Sequence, residues 1–374
     1  MAYAELVSLS TGHAGRSALG VSGSPPAFVS PSSPRRGSST VTEPLPYGSE
    51  VVLQLLQDQR LSTTSRDLIV GSWRPNTWKR YAAVFAKWQK FCVPRDIDPL
   101  HPAVADVINY LASLVDAGLG YSSFCTAKSA ISSMLSVTAE QPLASHPLIQ
   151  RFIKGVFNAK PPTPRYTSIW DVGLVIAYLR GLGAPSSLSF KDLTYKLVTL
   201  LTLLSASRVH YISSLSVDAM VLTDTQCTFF PNRLLKHSRP GFLGAPLKFT
   251  SYPAEAGLCV ISVLRDYLQR RRSLSISHPQ LLVSYRSPYK PVHRDTVSRW
   301  LREVLLLSGV NTEVFSSHSF RAASTSKART ANVPIDDILR QGQWATQLTW
   351  MQHYNLQVQP QPRSSVFAAA LLDR

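Results

Sequence analysis

The sequence predicts a mainly α-helical protein with one small antiparallel sheet, an α+β chain folded in two parts. Three observations predict it. Apolar residues recur at alternating steps of three and four through most of the chain, strand-like segments cluster in one patch between residues 219 and 252, and a proline run divides the helical pattern. The chain has 374 residues, 44% hydrophobic and 16% charged, which is enough apolar material for two cores and excludes a mainly disordered protein.

In chain order, residues 1–49 are rich in Ser, Pro and Gly, carry only Glu5 and Glu43 as acids and show no period, so they are expected to be a disordered tail. Residues 50–158 read as a helical domain. Its best helix follows Asn76 as N-cap, with Trp78, Tyr81, Phe85, Trp88 and Cys92 at core spacing. Lys79, Arg80, Lys87 and Lys90 fall on the remaining surface of that helix, where a merely solvated face is the ordinary reading. Apolar spacing predicts further helices over 104–115, 121–137 and 147–157. Residues 159–165 include Lys160-Pro161-Pro162-Thr163-Pro164-Arg165, a short stiff basic linker in which no helix can continue.

A second domain is expected over 166–374. It begins with helices at 169–182 and 188–205, passes through strands at 219–231 and 246–252, and resumes as helices at 258–272 and 294–308. Val297, Trp300, Leu301 and Val304 mark the buried side of the last of these. The cluster Gln269-Arg270-Arg271-Arg272 reads equally as a phosphate contact, a nuclear import signal or a solvated surface. After a polar, proline-broken stretch at 357–362, Val366-Phe367-Ala368-Ala369-Ala370-Leu371-Leu372 forms an apolar tail helix too short to stand alone.

Thirty-nine Lys plus Arg against 22 Asp plus Glu give a net charge of +17, which calls for a polyanionic partner, nucleic acid ahead of an acidic membrane surface. No stretch reaches the roughly 18 unbroken apolar residues of a spanning helix, and no basic-then-apolar signal pattern is seen, so no membrane insertion or secretion is expected. Cys92, Cys125, Cys227 and Cys259 are far apart with no CxxC, and read as reduced, mostly buried thiols rather than a zinc site or disulfide framework. No carboxylate cluster, Walker loop or GxSxG supports a nuclease, ATPase or hydrolase.

The informative segment is His318-Ser319-Phe320-Arg321, where Ser316 and Ser317 are expected to cap a helix with His318 in its first turn and Arg321 on the same face. Alone, HxxR is weak. Tyr354 follows in Met351-Gln352-His353-Tyr354, with Trp344 ten residues before it in Gln341-Gly342-Gln343-Trp344. Upstream, Arg208 follows the apolar run 197–204, and Lys236 lies in Leu234-Leu235-Lys236-His237-Ser238-Arg239-Pro240-Gly241 between the strand-like segments.

This ordered set, behind a basic helical domain, resembles the tyrosine recombinase (phage-integrase) family over roughly residues 50 to 360. The strings at 234–241 and 318–326 are most similar to the recombinases of DIRS-type retroelements. The resemblance implies a helical core-binding domain plus a catalytic domain, and DNA strand exchange through a 3′-phosphotyrosyl intermediate with no metal, ATP or other cofactor. It implies a homotetramer on double-stranded DNA that exchanges its C-terminal tail between protomers, although packing of that tail on its own domain is also open. A retroelement enzyme implies a nuclear location.

Each residue meets a physical demand of that chemistry. A tyrosine phenolate forms a covalent phosphoester and can leave again, the role expected of Tyr354. Bidentate guanidinium groups match the two non-bridging phosphate oxygens, the role of Arg208 and Arg321. Lys236 can protonate the departing 5′ oxygen, with a plain phosphate contact as the alternative and Lys248, Arg233 and Arg239 also within the same region. His318 can hydrogen-bond the phosphate or take the tyrosine proton.

Two positions depart from the family pattern. Trp344 stands where many members carry a second histidine, though an indole still offers one N–H donor. Tyr211 stands three residues after Arg208 where many carry an acid, which leaves the orientation of Arg208 open. Lys79, Arg80, Lys87, Lys90, Lys128, Arg151 and Arg239 are the expected DNA contacts, giving affinity and salt sensitivity with little sequence information. Two other readings use the same residues: a DNA-binding protein that no longer reacts, and a relaxing activity of the type IB topoisomerase kind.

Overall fold

In the first part of the chain the longest helix begins two residues earlier than its sequence suggests. The computed structural model describes residues 49–137, 142–236 and 238–358. They fall in two compact units that meet between Pro161 and Pro162. The first unit is all helical: α1 (Ser49–Leu55), α2 (Thr63–Val70), α3 (Pro75–Cys92), α4 (Val104–Asp116), α5 (Tyr121–Leu135) and α6 (Pro147–Ala159). Asn76 is not the N-cap of α3; extended Arg74 is, with Pro75 in the first turn, where its fixed φ suits a helix and its missing N–H costs nothing.

Trp78, Ala82, Phe85, Trp88 and Cys92 are buried along α3, and Tyr81 is half-buried. Both buried indoles are satisfied: Trp78 Nε1 donates to the Val70 carbonyl and Trp88 Nε1 to that of Pro99, each at 2.9 Å. Helix α4 starts where the Asp106 carboxylate accepts from the Ala103 N–H at 3.0 Å, which satisfies one of the otherwise orphaned donors. Helix α5 packs on α3 and α4 through Phe124, Ala127, Ile131 and Met134.

The second unit is built around α8 (Phe190–Ser205). That helix is buried almost all round, the pattern of a core helix, and its buried Thr194, Thr202 and Ser205 donate back to the carbonyls four residues earlier. Around it pack α9 (Val209–Ser213), α10 (Val260–Ser273), α11 (Arg294–Leu307) and α12 (Ser319–Thr330), with α7 (Val172–Gly181) against α11 and α12. An antiparallel sheet of β2 (Met220–Leu222), β3 (Gln226–Phe229) and β4 (Leu247–Thr250) turns Cys227, Phe229, Leu247 and Phe249 inward and leaves Lys248 outside. Helices α13 (Ile335–Gly342) and α14 (Gln347–His353) follow α12.

Residue 169 does not open a helix. Ser168–Ile169 forms β1, which pairs in parallel with β5 (Gln357–Val358), and α7 starts only at Val172, where Asp171 accepts from the Gly173 N–H at 3.0 Å. Two-residue strands are too short to leave an alternating pattern in the sequence. In the basic cluster at 269–272, Arg271 is no surface contact. It is buried, and its guanidinium donates to the carbonyls of His278, Gln280 and Leu281, clamping the chain that follows α10. Of the expected tail at 1–49, residue 49 already opens α1, while residues 1–48 and the apolar segment 366–372 lie outside the described residues.

Candidate active site

Helix α8 ends at Ala206, whose left-handed φ of 47° turns the chain, and the Ser205 hydroxyl accepts from the Ser207 N–H. Arg208 follows at the start of α9, half-buried. With Ser207, Lys236, Arg321, Gly342 and Gln343 it lines one pocket, so three of the sequence-selected cations converge there. Among the described residues no carboxylate lines that pocket, and no group of His, Cys, Asp and Glu side chains in the unit could hold a metal ion. Such a site suits an oxyanion.

Arg321 is the most constrained of the three. It is buried on α12, donates to the Ala206 and Gly342 carbonyls at 2.6 Å each, and lies with its guanidinium carbon 3.6 Å from the centre of the Trp344 ring. Two carbonyls and an aromatic face therefore fix its plane. Its Nε is buried without a hydrogen-bond partner, so donor capacity remains. Loss of water, and then repulsion from Arg208, lower its pKa to about 10, and the nearby Tyr354 hydroxyl opposes that fall. It stays charged at neutral pH.

Trp344 fits against Arg321 because residue 342 has no side chain. A Cβ built on Gly342 would lie 1.6 Å from the Trp344 ring. The indole also meets the Tyr354 ring edge-on, centres 4.9 Å apart, and its own N–H is buried without a partner. Tyr354, half-buried just after α14, lies 5.2 Å from the Arg321 guanidinium, measured to its ring centre. Trp344 thus links the two, with Arg321 over its face and Tyr354 against it edge-on.

His318 is not inside the first turn of α12. It is the N-cap itself, and neither Ser316 nor Ser317 caps with its side chain; the Ser316 carbonyl instead accepts from the Ser319 N–H at 2.8 Å and from its hydroxyl at 2.7 Å. Trp170 Nε1 donates to the Ser319 hydroxyl at 2.8 Å and the Tyr166 hydroxyl meets that of Ser316 at 3.2 Å, so residues just after the proline run hold the histidine turn. The ring keeps exposed surface, yet loss of water lowers its pKa, helped by Arg165, Arg208, Lys236 and Arg321. His318 is therefore neutral at pH 7 and able to accept a proton.

Lys236, exposed, rides on the connection between β3 and β4. That connection is tied down: the Ser238 hydroxyl accepts from the Leu235 N–H at 2.7 Å and donates to the Leu243 carbonyl. Buried Tyr211 donates its hydroxyl to the Ala245 carbonyl at 2.9 Å, and Gln343 donates to the same oxygen at 3.1 Å. The residue at the departed position thus holds the lysine-bearing connection. Burial pushes the pKa of Tyr211 up to about 12, so it remains a donor.

Of the other cations in this region, Arg233 donates to the Ser214 carbonyl at 3.3 Å, Lys248 sits outward on β4, and Arg239 is exposed with its guanidinium 5.6 Å from the Phe242 ring centre. In the first unit Lys79, Arg80, Lys87, Lys90 and Arg151 are exposed and Lys128 is half-buried.

Gly342, Gln343, Ser326, Tyr166 and Trp170 were not singled out by the sequence reading. Gly342 and Gln343 lay inside the Gln-Gly-Gln-Trp string and Ser326 at the end of the 318–326 string, but what they touch is distant in sequence.

The arrangement is similar to known folds. The XerH site-specific recombinase, solved in a pre-cleavage complex with its difH substrate, aligns over 89% of this chain and 91% of its own, with a TM-score of 0.53 at 12% identity. The Tn1549 transposon integrase, solved with transposon right end DNA, aligns over 87% of this chain and 98% of its own, with a TM-score of 0.52 at 8% identity. The fold is that of the tyrosine recombinases, helical with a small antiparallel sheet. No protein-family profile matches the sequence, and no curated protein does.

Proposed function

We propose that this chain breaks and rejoins DNA strands by transesterification, as a site-specific recombinase or integrase. The carrying observation is the pocket that unites Arg208, Lys236 and Arg321, with the Tyr354 ring set edge-on against Trp344, whose face covers Arg321. The Tyr354 hydroxyl attacks the phosphorus, its proton passes to neutral His318, and the P–O bond to the 5′ oxygen breaks as Lys236 protonates that oxygen. Phosphorus then carries a 3′-phosphotyrosyl ester, and attack by a 5′ hydroxyl reverses the step. Arg208 and Arg321 meet the charge that grows on the non-bridging oxygens, and those two guanidinium groups do the work a metal does elsewhere.

The basic face of α3 with Lys128 and Arg151 contacts DNA phosphates in this reading, and Arg239 joins from the turn beside Lys236. The working form is a homotetramer on double-stranded DNA, linked by exchange of the C-terminal segment 366–372. The likeness of the 234–241 and 318–326 strings to DIRS-type recombinases supports a mobile-element origin and a nuclear site of action.

Covalent trapping on phosphorothiolate DNA, with a target first selected in vitro, tests the chemistry. An adduct that maps to Tyr354 and vanishes in Tyr354→Phe is expected. Tight binding to verified sites with no adduct would sink the enzyme and leave a DNA-binding protein.

A further inference from the structure

Ser326 is a buried side chain on α12, two turns from His318, and it touches nothing in the anion pocket. Its hydroxyl nevertheless makes two bonds to one short piece of chain. It donates to the Tyr354 carbonyl at 2.9 Å and accepts from the Leu356 N–H at 3.0 Å. These groups belong to the residue carrying the candidate nucleophile and to the residue two beyond it. The hydroxyl thereby uses its one donor and one of its lone pairs on the turn that leaves α14.

Nothing regular would otherwise hold this turn at that point. Helix α14 has ended at His353, where the Tyr354 and Asn355 N–H groups still point back to the Trp350 carbonyl at 2.8 and 3.1 Å. The chain next pairs with another element at Gln357, against Ser168. Ser326 thus fills the interval between a helix end and a two-residue strand. It does so from α12, the helix that also carries Arg321.

Arg321 and Ser326 are five residues apart on one helix. The first lies against the Tyr354 ring and the second grips the Tyr354 backbone. One rigid element therefore sets the position of the tyrosine relative to the guanidinium. In an in-line displacement, a shift of about 1 Å in the nucleophile costs on the order of a hundredfold in rate.

Resting on the reading of Tyr354 as nucleophile, we infer that Ser326 is a positioning residue for strand cleavage. Its hydroxyl clamps the nucleophile's backbone to the helix that carries Arg321, and it has no part in binding DNA. A side chain that holds geometry alone changes the rate of the chemical step and leaves ground-state affinity untouched.

Single-turnover cleavage of a nicked suicide substrate, with DNA affinity measured in parallel, tests the inference in the full chain. Ser326→Ala is expected to slow adduct formation about 10- to 100-fold at unchanged Kd, with the melting temperature lowered by only a few degrees. Ser326→Thr, which keeps the hydroxyl, is expected to recover most of the rate. The second readout is 19F NMR of 3-fluorotyrosine at position 354. Ser326→Ala should broaden or split that resonance in the free protein, and Ser326→Thr should leave it single.

Wild-type adduct formation with Ser326→Ala cleaving within twofold of wild type, or with a 354 resonance unchanged in Ser326→Ala, overturns the inference and leaves the function standing. Equal loss of rate and of melting temperature in both variants also overturns it, since that is the signature of a packing residue. Absence of any adduct in wild type at a verified site removes the function, and the inference with it.

Discussion

On α3, Lys79, Arg80, Lys87 and Lys90 stand exposed over a core of Trp78, Phe85 and Trp88, whereas in the second unit Arg321 is buried, bonded to two backbone carbonyls and covered by Trp344. The first kind of cation keeps its water and its freedom, so an anion it meets gains little beyond screened attraction. The second has lost both before any ligand arrives. Its cost of ordering is met on folding by contacts with Ala206, Gly342 and Trp344, and that preorganisation is what a developing charge on phosphorus requires. In the proposed function the first is a sequence-tolerant binding surface and the second a geometrically fixed site, and the two should fail differently.

The sharpest way to break this contrast is Arg321→Lys. An ammonium keeps the charge but cannot span both carbonyls, stack on the indole and present a planar pair of donors, so cleavage should fall on the order of a hundred- to a thousandfold while DNA affinity holds. A rate within tenfold of wild type, read from single-turnover adduct formation, would mean that charge alone suffices.

Next in size is Gly342→Ala. The added methyl meets the Trp344 ring, so the indole must leave Arg321 and Tyr354, and cleavage should drop on the order of ten- to a hundredfold with a change in tryptophan fluorescence. Normal fluorescence and normal rate together would show that the Trp344 contacts are dispensable.

The combined variant Lys79→Ala, Lys87→Ala, Lys90→Ala probes the other side of the comparison. If each lysine meets one phosphate, the slope of log K against log salt should flatten by about 0.9 per residue, and cleavage at saturating DNA should be unaffected. An unchanged slope would return this face to simple solvation.

The smallest effect is a titration. Cationic neighbours, after loss of water, hold the His318 pKa below 6.5, because each disfavours a further positive charge. Arg165→Ala removes one of them, so the pKa should rise toward 6.5 and the ring should protonate at a higher pH. NMR titration of the free protein reads this directly, and a fall in pKa would show that Arg165 acts through something other than its charge.

Long-period features were legible in the chain. The apolar spacing of α3, α4, α5 and α11 and the strand patch follow from local pattern, and the order Arg208, Lys236, His318, Arg321, Trp344, Tyr354 was legible as a set through its resemblance to a known family. Boundary details were less so. Asn76 looks like a cap by residue type, yet Pro75 fits the first turn and moved the cap to Arg74; Ser316 and Ser317 look like caps, yet Trp170 and Tyr166 reach in from elsewhere and engage Ser319 and Ser316.

Sequence by itself therefore determined which side chains are available to the site and that they belong to a basic, apolar-cored, mainly helical chain. Tertiary structure alone decided how those side chains are held. Arg321 takes carbonyls 115 and 21 residues away, Ser326 takes the backbone at Tyr354 and Leu356, and β1 finds β5 across nearly the whole second unit. A hydrogen bond to a backbone carbonyl carries no residue identity, and a two-residue strand carries no period. Such contacts exist only once the chain is packed, and they are what turns a set of charged residues into a site of fixed geometry.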